Sequence, residues 1–432
     1  MIGNTTESCQ RSPCRSGDTG PTTRLWNRSF LFLWIGQAVS ALGDVVYAIA
    51  LGFWILAVTG STSLMGALMA ASSLPRILVS PFAGVLVDRG DRKALLVIMD
   101  LTRGAAVVGV GIAALTGCVQ VWMVFAAGIL IGLGSAFFNP AVGSAIPDIV
   151  SVEQIVPANS VFNMIYTGSG LIGNAAGGFL FKILGAPLLF LFNGISYLIS
   201  AATILIVRIP TVVKPAVPVT FFRDLKDGFK FVWKFRGLRS LMIMAGALNF
   251  FAVIGITLML PLFQRHEHLG PARYGIVMAF FGAGLLAGYL LTSVYRFRPE
   301  SRFKVFVFCC VLMSVGLMLF PLFLNVLYMS AIVLVVGVVN SVLNSFISAI
   351  AQMTVPQDRR GKVFGLMATL TGGLTPLAFA VAGVLAEFIP LRPLITGCFA
   401  VTLLVFLPLF FDVHFHKFVN YDPQNQTLAD LM

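Results

Sequence analysis

Gln37, Ser40, Asp44 and Tyr47 recur at spacings of three, four and three residues inside a long apolar run, which places all four on one face of a helix. Such a stripe must face protein or a water-filled cavity, and a carboxylate within it is a candidate for binding and releasing a proton. Asp44 lies about 22 Å along the helix from Ser29 at about 1.5 Å per residue, near the centre of a bilayer. Arg76 follows Pro75 and lies about 18 Å from the charged turn at Asp88, a comparable depth. It either pairs with Asp44 or satisfies the carbonyl near Ala71 that Pro75 leaves without a donor. Burial favours a neutral acid and a nearby guanidinium favours a carboxylate, so an acid held between the two can change protonation when its surroundings rearrange. Asn139, Asn163, Thr167 and Asn174 add polar groups to later apolar runs, and Asn249, Asn340 and Asn344 do so in the second half of the chain. With Gln37, Ser40 and Tyr47 they are the expected lining of a substrate cavity. Asp100 and Arg103, at i and i+3, read as a structural pair around a loop.

The elements that position these residues follow from composition. The chain is 58% hydrophobic and 11% charged, where soluble domains run at about 45 to 50% and about 25%. It is therefore an integral membrane protein, and its 432 residues accommodate about twelve spans of roughly 20 to 25 residues, leaving no sizeable soluble domain. The net charge of +12 raises the possibility of nucleic acid as a partner. Most of the Lys and Arg fall on one side of a twelve-span topology, however, so the positive-inside bias accounts for them. Both termini and the turns near Asp88, Pro147, Lys226, Arg298 and Arg359 are then expected to be cytoplasmic in a multi-pass protein of the cell membrane.

The expected organisation is a disordered cytoplasmic tail over 1–28, a six-helix bundle over 29–207, an amphipathic surface linker over 208–239, a second six-helix bundle over 240–411 and a tail over 412–432. In the linker, Phe222, Leu225, Phe229 and Val232 oppose Arg223, Lys226, Lys230 and Lys234. The halves echo one another: Pro356 to Phe364 matches Pro147 to Phe162 in position, which suggests two parallel repeats. The second half offers no carboxylate near the bilayer centre, and Glu387 lies near the outer end of the eleventh span. The six cysteines are too scattered for a disulfide framework. His266-Glu267-His268 offers metal-ligand types on one short stretch only, so no metal site is expected.

The turn after the second span reads Gly84-Val85-Leu86-Val87-Asp88-Arg89-Gly90-Asp91-Arg92-Lys93. Gly84 allows close helix approach, Gly90 a tight turn, and the cations hold the loop at the cytoplasmic face. This pattern between the second and third of twelve apolar segments resembles the loop signature of the major facilitator superfamily. Ala136 to Asp148, followed by Ala158-Asn159-Ser160, resembles the branch that includes bacterial macrolide-efflux proteins and siderophore exporters. Gly168 to Gly178 is similar to the glycine-rich signature of antiporters, departing from it at Asn174, where that signature has proline.

The resemblance implies an all-α fold of twelve transmembrane helices in two six-helix bundles. It also implies a gating loop of Gly84, Asp88, Arg89, Gly90 and Arg92, in which Asp88 meets the start of the eleventh helix near Arg359 to Lys362. The function expected is secondary active transport: proton-coupled efflux of lipophilic or amphiphilic small molecules by alternating access, with Asp44 and Arg76 at the coupling site. Within transport, the alternatives are a siderophore exporter and a lysophospholipid flippase. No Walker-type motif supports ATP drive, and no paired acids, Ser-His-Asp set or metal cluster supports a membrane-embedded enzyme. A channel would show conductance where a carrier shows counterflow. A proton gradient in place of a cofactor, a small-molecule substrate, surrounding membrane lipids, no nucleic acid and a monomeric state complete the expectation.

Overall fold

A computed structural model describes residues 25–209, 229, 230, 232, 233, 235–295, 297–355 and 360–421, and no β-strand forms among them. The first half comprises α1 (Arg28–Thr59), α2 (Thr62–Arg89), α3 (Arg92–Leu115), α4 (Val121–Ile149), α5 (155–184) and α6 (186–206). The second comprises α7 (Arg236–Thr257), α8 (Met259–Arg265), α9 (Gly270–Val294), α10 (Pro299–Leu319), α11 (Val326–Thr354), α12 (Arg360–Gly373), α13 (Thr375–Phe388), α14 (Leu391–Phe410) and the short α15 (Val413–Val419).

Among the described residues eleven helices are long and apolar enough to cross a membrane, and one of them runs for 52 residues. At about 1.5 Å per residue that is far longer than a hydrocarbon core of about 30 Å. It is two spans, broken at Gly185, whose φ of 72° and ψ of 171° reverse the chain without a loop. Only glycine adopts that conformation readily. The described residues therefore make twelve spans. The seventh span is interrupted at Leu258, between α7 and α8, and the eleventh at Leu374, between α12 and α13.

Local chemistry starts the helices where the sequence changes character. The Asn27 side chain accepts from the Phe30 N–H at 2.9 Å to cap α1. Asp91, inside the charged turn, caps α3 by accepting from the N–H groups of Lys93 and Ala94 at 2.9 and 3.2 Å. The stretch expected as a tail from 412 begins instead with α15, capped by Asp412. Phe415 and Phe418 are fully buried there, with the Phe418 ring 5.4 Å from Phe235 and the Phe415 ring 5.6 Å from Phe306. The apolar residues on one face of 413–419 dock it onto the second half. Most of the expected surface linker (210–228, 231 and 234) and the tails at 1–24 and 422–432 lie outside the described residues.

The halves meet at the end away from the chain termini. A Cβ on Gly66 of α2 would stand 2.3 Å from the Phe379 carbonyl oxygen of α13, and one on Gly178 of α5 would stand 2.1 Å from that of Pro271 in α9. Glycine lets these helices touch backbone to backbone, as packing in lipid favours. Next to these crossings the Tyr274 ring of α9 packs edge-on against Phe53 of α1 at 5.6 Å and Phe263 of α8 at 5.5 Å.

Candidate functional site

Beneath that closed end lies a chamber of about 480 Å³ with walls from both halves. Asp44 and Tyr47 of α1, Arg76 of α2 and Asn174 of α5 line one side; Ile256, Thr257, Leu260, Tyr274 and Phe379 line the other. The polar stripe on α1 is thus divided by depth within the bundle. Asp44 and Tyr47 reach the chamber, whereas Gln37 and Ser40 are buried, and the Gln37 Nε2 donates to the Ser200 hydroxyl of α6 at 3.4 Å. The Tyr47 hydroxyl is buried with no hydrogen-bond partner among the described residues.

Asp44 and Arg76 share the chamber wall but form no ion pair, and Arg76 makes no hydrogen bond to the backbone near Ala71. Asp44 instead accepts from the hydroxyl of Tyr197 on α6. Behind Tyr197 stands Arg103 of α3. Its guanidinium lies 4.4 Å from the Tyr197 ring centre and 4.5 Å from that of Phe138 on α4, a position that favours a cation on both faces. Arg103 also pairs with Asp100. This pair is not at a loop, as its spacing had suggested: Asp100 is 0% and Arg103 3% exposed. Helix α3 turns both side chains into the bundle, toward α4 and α6. Gly134 of α4 makes the slot, since a Cβ there would stand 2.7 Å from Arg103 Cδ.

The sequence reading missed Arg103 and Tyr197 as partners of Asp44. Arg103 had one sequence signal, its charge, since an Asp and an Arg three positions apart inside an 18-residue apolar window need a buried reason to be there; Tyr197 carried none. Asp44, Tyr197, Arg103 and Asp100 thus form one line of contacts running from the chamber wall into the first half.

The other expected cavity residues separate. Asn174 lines the chamber and its Nδ2 donates to the Gly170 carbonyl at 2.7 Å. Asn249, Asn340 and Asn344 line a second cavity, of about 420 Å³, within the second half. Asn139, Asn163 and Thr167 are exposed and line neither space. In the expected gating loop, the side chains of Asp88 and Arg89 and the surroundings of Gly84 lie outside the described residues, as do those of 356–362, so the contact from Asp88 to the eleventh span does too. Gly90 is exposed in the turn. Arg92 is tied within the first half: it pairs with Asp148 at the end of α4 and donates to the Ser144 carbonyl at 3.0 Å. Across the halves, Glu387 of α13 accepts from the Ser61 hydroxyl at 2.6 Å and from the Ser63 N–H at 3.1 Å. This contact lies at the closed end.

The description "Major Facilitator Superfamily" belongs to the family model that matches residues 33–380. Macrolide efflux protein A of Streptococcus pyogenes is 24% identical over 418 residues, covering 90% of this chain and 97% of that protein. The multidrug efflux pump Tap of Mycolicibacterium fortuitum is 26% identical over 381 residues, covering 83% and 89%. Among solved structures, a bacterial homologue of the iron transporter ferroportin in an inward-facing state superposes with a TM-score of 0.68 at 17% identity, covering 88% of this chain and 98% of that one.

Proposed function

The chain belongs to the major facilitator superfamily, a family of transporters rather than enzymes, and from that premise we propose that it exports lipophilic or amphiphilic small molecules in exchange for protons. Asp44 carries this reading. It is a carboxylate on the wall of a chamber shared by the halves, bonded to Tyr197 and backed by the Arg103–Asp100 pair. A proton on Asp44 removes its negative charge; cargo or water entering the chamber changes the surroundings of the acid and releases the proton. Export is supported by the macrolide and multidrug efflux pumps among the relatives.

Alternating access is supported by the closed end. The glycine crossings of α2 on α13 and α5 on α9, the Tyr274 ring stack and the Glu387 anchor all join one half to the other there. Opening that end requires these contacts to part together. With the termini in the cytoplasm, the closed end is the outer one. Protons moving down their gradient then drive cargo outward through a single chain.

Cells lacking or overproducing the protein, screened for susceptibility and accumulation across macrolides, siderophores and lysolipids, test the reading and identify the cargo. Asp44→Asn should keep exchange of that cargo between equal pools and lose uphill export in vesicles energised by a pH difference. If the variant still concentrates cargo, coupling does not run through Asp44.

A further inference from the structure

The 420 Å³ cavity in the second half is lined by helices of that half, and among the described residues no acidic, basic or histidine side chain lines it. Its wall is adaptable: Met244, Met259, Met278, Met313 and Met367 line it, five of the sixteen methionines in the chain. Unbranched thioether side chains reshape around different apolar guests. Phe281, Phe306, Phe399 and Phe406 complete the apolar surface. A space of this size falls within the range of small-molecule pockets, which run from about 300 to 1,000 Å³. An ionised group has no counter-charge there and would be strongly disfavoured.

The polar groups of this wall are mostly engaged with one another. Asn344 Nδ2 donates to the Asn340 backbone carbonyl at 3.0 Å and to its Oδ1 at 2.8 Å. Thr402 donates to Ser314 at 3.4 Å. Asn249 Oδ1 differs: it is buried and no donor reaches it among the described residues. Such an acceptor is unfavourable unless something supplies a hydrogen bond. Ile256 lines both this cavity and the chamber at Asp44, so the two spaces adjoin across one side chain.

We propose that the second-half cavity binds the uncharged apolar body of the cargo, with Asn249 Oδ1 accepting from one hydroxyl or N–H on it, while an ionised group of the same molecule remains in the chamber beside Asp44. The cargo is then a two-part amphiphile, and proton coupling and apolar recognition sit in different halves. The inference rests on the export reading for the identification of its ligand as cargo, but the binding it describes requires no gradient.

Full-length protein in lipid nanodiscs tests it, with N-phenyl-1-naphthylamine as an uncharged probe bearing one N–H and its N-methylated analogue as the control without a donor. The native protein and Asp44→Asn should both show saturable fluorescence above empty nanodiscs. Met313→Trp, which fills the cavity, should abolish it for both probes; Ala252→Phe fills the space from α7 should the first variant fail to assemble. Asn249→Leu should weaken the N–H probe by roughly five- to tenfold and leave the methylated probe unchanged. Saturable binding that survives both filling variants, or its absence from the native protein, overturns the site. Equal weakening of both probes by Asn249→Leu overturns the acceptor role. Loss of uphill export in Asp44→Asn with binding unchanged separates this site from the coupling step, and each can fail alone.

Discussion

Tyr197 on α6 donates its hydroxyl hydrogen to Asp44 on α1, and the same ring lies 4.4 Å from the Arg103 guanidinium on α3. One side chain thus connects the acid that faces the chamber to an ion pair that does not. Tyr197→Phe should keep the ring over Arg103 and lose only the bond to Asp44. A hydrogen bond to a charged group is worth about 1.5 to 3 kcal/mol, so the variant should fold, melt a few degrees lower and export less well. Melting in detergent together with vesicle export checks this; unchanged export would remove Tyr197 from the coupling path.

Arg103 is the cation paired with the buried Asp100. Arg103→Leu should destabilise the protein by about 3 to 5 kcal/mol, because it leaves Asp100 charged and unpaired in the interior. Adding Asp100→Leu should restore most of that loss. Thermal unfolding of the single and double variants provides the comparison, and additive losses in the double variant would show that the two residues are energetically independent.

The crossing of α2 over α13 leaves no room for a side chain. A Cβ at Gly66 would meet the Phe379 carbonyl oxygen at 2.3 Å and Gly383 Cα at 2.9 Å, both backbone atoms. Gly66→Val should wedge that end apart and favour the state open there. Spin labels placed across the two halves at that end should report a longer distance in the variant; an unchanged distance with normal export would mean that the crossing does not need to close.

Glu387 anchors the same end by accepting from Ser61 and from the Ser63 backbone. Glu387→Gln keeps the shape and weakens acceptance from both donors. The fraction of molecules open at that end should rise, by less than in Gly66→Val, because the anchor is exposed and water competes for it. The same spin-label distance across the two halves, read in both backgrounds, measures the order, and a Glu387→Gln effect exceeding that of Gly66→Val would reverse it.

Orientation can be read from a native residue. Cys118 is exposed in the turn between α3 and α4, which faces outward if both termini are cytoplasmic. An impermeant maleimide added to intact cells should label Cys118 and should not label a cysteine placed at Arg298 in a Cys118→Ser background. The opposite pattern would invert the topology.

The sequence by itself determined the class and the frame: twelve apolar segments, charged turns between them and a polar stripe on the first. Each of these is a property of single residues or of one helix, since a span must be apolar along its length and a stripe follows from the pitch. It also marked Asp44, because a carboxylate in the middle of a bilayer needs a reason wherever its neighbours turn out to be. Tertiary structure decided which neighbours those are. Arg76 was the cation expected at the depth of Asp44, and Arg103 was expected at a loop; only the rotation of α3 and α2 about their axes brings Arg103, through Tyr197, behind Asp44 while Arg76 lies on the chamber wall without an ion pair to Asp44. Asn174 went to one cavity, Asn249, Asn340 and Asn344 to the other and Asn139 and Asn163 to neither, and the Glu387 anchor joined residues 326 positions apart, for the same reason. Hydropathy reports how far each segment lies from water, whereas packing of helix on helix fixes the rotation of each, and a rotation of about 100° per residue decides which side chains meet.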